Sequence, residues 1–285
     1  MQLLPLGEAI GRYVRDGQSI ALEGFTHLIP TAAGHEIIRQ RRRNLHLIRM
    51  TPDLVYDQMI GMGCASQLTF SWGGNPGVGS LHRLREAVAS DWPAPLQLHE
   101  FTHAEMAVAY QAGASGLPCG LMRRYADSDL ALVPGAGTAS RRAIQCPFTG
   151  ASLTAIAAIN PDVTILHAQQ VDAAGNVLIR GIVGAGKEAA MAARCVLVTV
   201  EERVERFAAD MNAVVLPAET IAAVSVVPGG AYPSYAQGYY PRDNRFYIAW
   251  DDISRDRRNF LNWMEQHVLR SSGHEEHLRM LGVAA

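Results

Sequence analysis

The chain has no long apolar run, almost no excess charge and few cysteines, and each shortage removes a class of protein. Its most apolar later stretch, residues 213–227, is interrupted by Pro217 and Glu219. Met1-Gln2-Leu3-Leu4-Pro5-Leu6 carries no basic leader, so neither a membrane span nor a signal peptide is expected. The formal net charge is -2, with acidic and basic residues interleaved, and no positive field would gather DNA or RNA. A nucleic-acid partner is therefore not expected. The four cysteines, Cys64, Cys119, Cys146 and Cys195, form no C-x-x-C pair, which argues against a zinc ribbon, a thioredoxin-type motif or a disulfide framework. A reduced, cytoplasmic setting is the simplest reading.

What is present suits a large globular core. Hydrophobic residues make up 48% and charged residues 18% of 285, inside the ordinary globular window. That length fits one large domain or two lobes. No repeat or low-complexity tract divides it, and the Gly/Ala-rich stretch 134–139 is the one plausible flexible joint, too short to mark a boundary. One domain over residues 1–285 is expected, with 251–285 as a helical C-terminal arm.

Apolar spacing alternates between two periods along the chain. Leu6, Ala9, Ile10, Tyr13 and Val14 fall at helical spacing, and Asp16-Gly17 stops that helix before the strand-like Ile20-Ala21-Leu22. A helix from Pro30-Thr31 through Arg43, a strand from Leu45 to Met50, and a helix capped by Pro52-Asp53 follow. Then come a strand at 68–72, a helix at 81–90, a strand at 96–101 and a helix at 104–113. The second half holds β-branched strands at 163–169, 177–180 and 196–200, with a short helix at 187–194. Asp172 to Asn176 reads as a hairpin turn with Gly175 in the left-handed position. The fold class is α/β: an open, mostly parallel sheet with helices on both faces. In the arm, Phe260, Leu261, Met264 and Val268 are expected on one buried side.

Three motifs bear on chemistry and point in different directions. His99-Glu100-Phe101-Thr102-His103 matches H-E-x-x-H, which on one helix binds zinc and supplies a glutamate base. Here Gln97 to Phe101 alternates like a strand with the helix starting near Ala104, so the zinc hydrolase stays an alternative and no metal is expected. Gly181 to Lys187 satisfies G-x-x-x-x-G-K, but Glu188 stands where a phosphate-binding loop needs Ser or Thr for Mg²⁺. A glycine-rich turn is the plainer reading. The run Arg39-Gln40-Arg41-Arg42-Arg43 could meet cofactor phosphates, though arginines at a helix end also favour its negative pole. No G-x-S-x-G elbow occurs.

Two glycine-rich loops at strand ends remain as site candidates: Glu23-Gly24-Phe25-Thr26 and the segment from Ser71-Trp72-Gly73-Gly74-Asn75 to Gly79. In open α/β sheets, ligands bind beyond the carboxyl ends of strands, where small residues let backbone N–H groups face the substrate. Ser71, Asn75, Glu23 and Glu100 add polar groups there.

Asp16-Gly17-Gln18-Ser19-Ile20-Ala21-Leu22-Glu23-Gly24-Phe25 resembles the first signature of the class I CoA-transferases, with Glu23 in place of its first glycine and Pro30 one residue early. Gly24 to Thr31, Arg49 to Asp57, Ser71 to Ser80, Cys146-Pro147-Phe148-Thr149-Gly150, Gly229 to Tyr240 and Arg242 to Tyr247 are similar to A subunits of the family's glutaconate-transferase-like branch. The likeness runs over nearly the whole chain. It implies CoA transfer between small dicarboxylic acids, with succinyl-CoA and 3-oxoadipate the pair, and coenzyme A a substrate rather than a resident cofactor. The family's catalytic glutamate lies in an S-E-N-G motif of a B subunit, absent here, so no catalytic residue is expected in this chain. The implied assembly is an A/B heterodimer or heterotetramer. The resemblance gives Gly24 and Phe25 the oxyanion role through backbone N–H groups. Ser71, Asn75 and His103 would hold the distal carboxylate of the acid, with Glu23, Thr26, Trp72, Gly73, Gly74 and Glu100 shaping the pocket. Some relatives of this branch hydrolyse a C–C bond on a CoA ester, which makes Glu100 a base in an alternative reading.

Overall fold

The computed structural model describes residues 1–75, 78–123, 140–208 and 210–283, which leaves Pro76, Gly77 and the expected joint at 134–139 outside the described residues. The first half alternates as expected: β1 (Gln2–Leu3), α1 (Leu6–Tyr13), β2 (Ser19–Leu22), α2 (Thr31–Arg39), β3 (Leu45–Ile48), α3 (Leu54–Gly61), β4 (Ala65–Phe70), α4 (His82–Ser90), β5 (Gln97–Glu100) and α5 (His103–Ala114). Next come β6 (Cys119–Arg123), β7 (Arg141–Gln145) and β8 (Ser152–Ala157). The second half adds β9 (Val163–Val171), β10 (Val177–Ile179), α6 (Gly186–Ala192), β11 (Cys195–Arg203), β12 (Val214–Leu216) and β13 (Ala223–Val226). The arm holds α7 (Asn244–Arg255), α8 (Arg257–Met264), a π-helical turn (Glu265–Leu269) and α9 (His274–Met280).

Ten strands form the main sheet in the order β1-β13-β11-β9-β2-β3-β4-β5, all parallel along that path, with β10 and β12 added antiparallel beside β9. Alternate side chains leave opposite faces, and both faces are buried. Ile20, Leu22, Leu45, Leu47 and Leu68 pack under α1 to α4 and the arm, while Ala21 and Ile48 pack under α5 and α6. Gly175 takes φ +90° in the β9–β10 turn, as the hairpin requires.

Several elements differ from the expectation. Helix α2 stops at Arg39 because Arg41 turns left-handed at φ +55°, so the arginine run is a helix end. Three of its four arginine side chains bond within the chain: Arg39 to Glu36, Arg42 to the Gly11 carbonyl and Arg43 to the Met62 carbonyl, while Arg41 is exposed. Asp53 makes no side-chain cap, since its carboxylate faces Arg49. Helix α5 starts one residue early because Thr102 and Glu105 close a capping box. The arm begins at Asn244, where Asp243 accepts from the Phe246 N–H, and Leu261 is 39% exposed while Phe260, Met264 and Val268 are buried. The antiparallel sheet β6-β8-β7 and strands β1, β12 and β13 were not anticipated.

The arm docks through neutral histidines. His274 bonds the Gly229 carbonyl at 2.9 Å, His277 bonds the His267 carbonyl at 2.7 Å, and the His277 ring lies 4.6 Å from that of His35 on α2. Burial lowers all three, His274 to about 3 and His277 to about 4, and their mutual proximity adds to the effect. The unfolded chain therefore takes up these protons first as pH falls. Stability should drop from about pH 6.5 by up to about 1.4 kcal/mol per pH unit for each histidine, the His277 part levelling off near pH 4 and the His274 part near pH 3. Urea midpoints at several pH values test this: His274→Gln, which keeps a donor to Gly229, should flatten the slope.

Candidate active site

Chain order across the sheet sets where a ligand can enter. From β2 the chain moves outward through β3, β4 and β5, then returns to the other side of β2 with β9 and moves outward again through β11 and β13. Strands β2 and β9 thus flank the reversal point, and the crevice beyond their carboxyl ends is the expected ligand position in an open α/β sheet. The loop following β2 lies there.

Glu23 opens that loop. It follows Ala21 by two residues and so leaves the sheet on the α5 side, where its carboxylate, 3% exposed, accepts from the Tyr110 hydroxyl at 2.9 Å. Burial raises its pKa, while the Arg49 charge, Tyr110 and the backbone N–H groups of Met50 and Gly24 pull the other way. Arg49, 1% exposed, pairs with Asp53 at 2.9 Å and donates to the Gly24 carbonyl at 2.6 Å. Burial works against this charge, yet Asp53 and the other acidic groups around it raise the Arg49 pKa. One guanidinium therefore holds both the turn after β2 and the start of α3.

Gly24 is where the chain folds back on itself. A Cβ there would stand 2.7 Å from the Leu28 carbonyl oxygen and 2.8 Å from that of His27. Thr26 and Leu28 both take left-handed backbones, φ +57° and +52°, which are costly for side chains of this kind and concentrate at functional loops. Among the described residues, the N–H groups of Phe25 and Thr26 have no backbone or side-chain acceptor, whereas that of Leu28 bonds the Tyr235 carbonyl.

The second loop joins the first through Met50. Ser71 donates its hydroxyl proton to the Met50 carbonyl at 2.6 Å, and its N–H bonds the same carbonyl at 3.1 Å. Having spent its proton, the Ser71 oxygen accepts from His103 Nδ1 at 3.1 Å. Glu23, Met50, Ser71 and His103 therefore form one continuous polar rim on the α5 side. Trp72 and Gly73 are exposed beside it, Gly74 lies against the Trp72 ring, and Thr26 is half-buried. Asn75 is 3% exposed, and neither of its amide atoms has a partner among the described residues.

Glu100 stands apart. It shares its face of β5 with Leu98, which packs in the cluster under α3 and α4, so its side chain leaves on the opposite face from Glu23 and Ser71. Its carbonyl accepts from Arg141, whose guanidinium also pairs with buried Glu105 at 2.5 Å.

The two rival motifs lose their geometry. His99 lies on β5, 3.1 Å from Gln67 Oε1 with its ring near His46, while His103 opens α5 and faces Ser71. They do not share a helix face, and no group of three or more His, Cys, Asp or Glu that could hold a metal occurs among the described residues. The Gly181–Lys187 stretch is a turn whose Gly184 lies under Phe25, and Lys187 pairs loosely with Glu188 at 3.7 Å.

Arg49, Asp53, Tyr110 and His27 belong to this site and were not picked out from the sequence. Arg49 and Asp53 did carry a signal, an opposite-charge pair four apart just past a strand, but it reads as a surface pair without knowledge of burial.

The described residues form an open α/β sheet with a crevice at its reversal point. The chain belongs to the coenzyme A transferase family, whose model matches residues 5–226. The A subunit of 3-oxoadipate CoA-transferase from Pseudomonas knackmussii is 58% identical over 267 residues, covering 94% of this chain and 93% of that protein. Glutaconate coenzyme A-transferase from Acidaminococcus fermentans has a solved structure that superposes with a TM-score of 0.90 at 28% identity, over 99% of this chain and 93% of that one. The decarboxylase AibA/AibB superposes with a TM-score of 0.77 at 26% identity, over 93% and 98%. No helix among the described residues is long and apolar enough to cross a membrane.

Proposed function

We propose that this chain is the A-type subunit of a cytoplasmic CoA-transferase that moves CoA from succinyl-CoA to 3-oxoadipate, working as one domain beside a B subunit in a heterodimer or heterotetramer. The observation that carries the reading is a crevice equipped to bind but not to attack. It offers the Phe25 and Thr26 N–H groups and a polar rim, while the one hydroxyl on that rim, Ser71, has given its proton to a carbonyl. The 58% identity to a protein named for 3-oxoadipate supports the choice of acid.

In this reading the partner's glutamate carboxylate attacks the thioester carbonyl of the donor. CoA thiolate leaves, and a mixed anhydride of glutamate and succinate forms. The thiolate then attacks the glutamyl carbonyl and releases succinate, leaving a glutamyl-CoA thioester, and 3-oxoadipate collects the CoA by the same steps in reverse. Each addition puts negative charge on a carbonyl oxygen; in this reading the Phe25 N–H of the Gly24-Phe25 turn receives it, since the Gly24 N–H already faces the Glu23 carboxylate. The Asn75 amide and His103 take the distal carboxylate, with Thr26, Trp72, Gly73 and Gly74 around the acid and Glu23 fixing the loop. Ser71, whose N–H and O–H both go to the Met50 carbonyl, orients His103 rather than touching the acid. Glu100, on the other face of the sheet, has no part in this contact.

The chain alone should be inert toward succinyl-CoA and 3-oxoadipate, and co-expression with a B chain carrying the S-E-N-G motif should give 3-oxoadipyl-CoA with ping-pong kinetics. Turnover by the isolated chain, or release of free CoA instead of transfer by the complex, would refute it.

A further inference from the structure

The loop that presents the Phe25 N–H is held by a residue that contacts no proposed substrate. His27 is fully buried, and its ring joins three separate segments. Nδ1 lies 3.2 Å from the Ile182 carbonyl, the Gln237 N–H donates to Nε2 at 3.0 Å, and the ring rests on Tyr235 with centroids 4.4 Å apart. Ile182 offers only an acceptor and Gln237 only a donor, so the ring must be neutral with its proton on Nδ1. Burial, the largest influence on it, keeps it in that form.

The surrounding backbone is built around this ring. Gly181, at φ +92°, lies so close that a Cβ there would stand 2.8 Å from the ring, and no side chain fits between the two segments. Leu28 and Ile29 add bonds to the Tyr235 carbonyl and the Ser234 hydroxyl, which fasten the loop on its far side. Thr26 and Leu28, the two left-handed residues, flank His27 directly. Such backbones persist only where the surroundings over-determine them, and the two ring bonds of His27 are the restraint lying between them.

Resting on the functional reading above, we propose that His27 is a positioning residue: it ties the loops at 181–184 and 235–240 to the kink at 26–28 and thereby aims the Phe25 N–H at the developing oxyanion. In that reading the acid's distal carboxylate is held by Asn75 and His103 and not by this loop, so loss of the tether should act on the chemical step more than on binding.

The test uses the complete A/B complex with His27→Ala and His27→Gln in this chain, since glutamine offers one donor and one acceptor without an imidazole. His27→Ala should lower kcat by about 100-fold with KM for both substrates changed less than about threefold, and raise amide exchange in the peptide spanning 24–29. His27→Gln should recover kcat to within about tenfold of the parent. A folded His27→Ala complex with parental kcat, or one that loses KM instead, overturns the proposal. Should the alanine variant fail to fold, the glutamine variant decides: folded but about as slow as expected for alanine, it also overturns it. The parent complex runs alongside, and if it transfers no CoA the functional reading fails, not the tether.

Discussion

Arg49→Met is expected to destabilise the chain by about 3–5 kcal/mol, because it leaves the Asp53 carboxylate buried without its counter-charge. Arg242 and the Val55 N–H also favour the Asp53 carboxylate, which places the loss toward the lower end of that range. Both side chains are at most 2% exposed, so water cannot replace the guanidinium, and the Gly24 carbonyl loses its donor at the same time. Urea denaturation of the purified chain measures the loss, with an unchanged m-value showing that the midpoint shift reports stability. The double variant Arg49→Met with Asp53→Leu separates charge from shape. If the cost is the stranded carboxylate, the double variant regains most of the stability, short by about the 1 kcal/mol of the lost bond to Gly24. A double variant as weak as the single one would show that packing of the arginine stem, and not charge, is what Arg49 supplies.

Gly24→Ala should cut CoA transfer by the A/B complex about 100- to 1,000-fold while leaving the two chains associated. The contacts a methyl group would make are all with backbone: the carbonyl oxygens of Leu28 and His27 at 2.7 and 2.8 Å and the Ile29 Cα at 3.0 Å. Backbone cannot swing aside as the end of a long side chain can, so residues 24–29 must open. Opening moves the Phe25 N–H, and a displacement of about 1 Å at such a donor is enough to remove most of its effect. Steady-state kinetics with both substrates and native mass spectrometry of the complex check the two halves of the expectation. Parental kcat in an intact complex would mean that the N–H groups of this loop do not face the reacting carbonyl.

The two loops that form the candidate site were legible in the sequence, and the reasons differ by residue. The glycine loops at Gly24 and Gly73-Gly74 could be found because strand ends and small residues are both local properties. Glu100 groups with Glu23 and Ser71 in the sequence because all three stand at strand ends, and only the packing of Leu98 under α3 and α4 sets Glu100 on the other face. Which face looks toward the crevice was not readable, since that depends on Tyr110 of α5 packing over Glu23, residues far apart in the chain. The sheet β6-β8-β7 escaped for a related reason. Its pairings link Cys119 to Ala157 and Arg141 to Ile156, and its short, half-exposed strands lack the apolar alternation that marks a buried one.

Local spacing of apolar residues and turn chemistry at glycine and proline were properties of the amino-acid string itself, and they sufficed for the α/β class and for placing two glycine-rich loops at strand ends. Burial was not among them. That Arg49 is an interior charge, that Ser71 has surrendered its proton, and that His27 fastens three loops are consequences of segments up to about 210 residues apart meeting around one crevice. Removing water from those meetings is what turns ordinary polar residues into fixed donors and acceptors, and only the packed chain removes it.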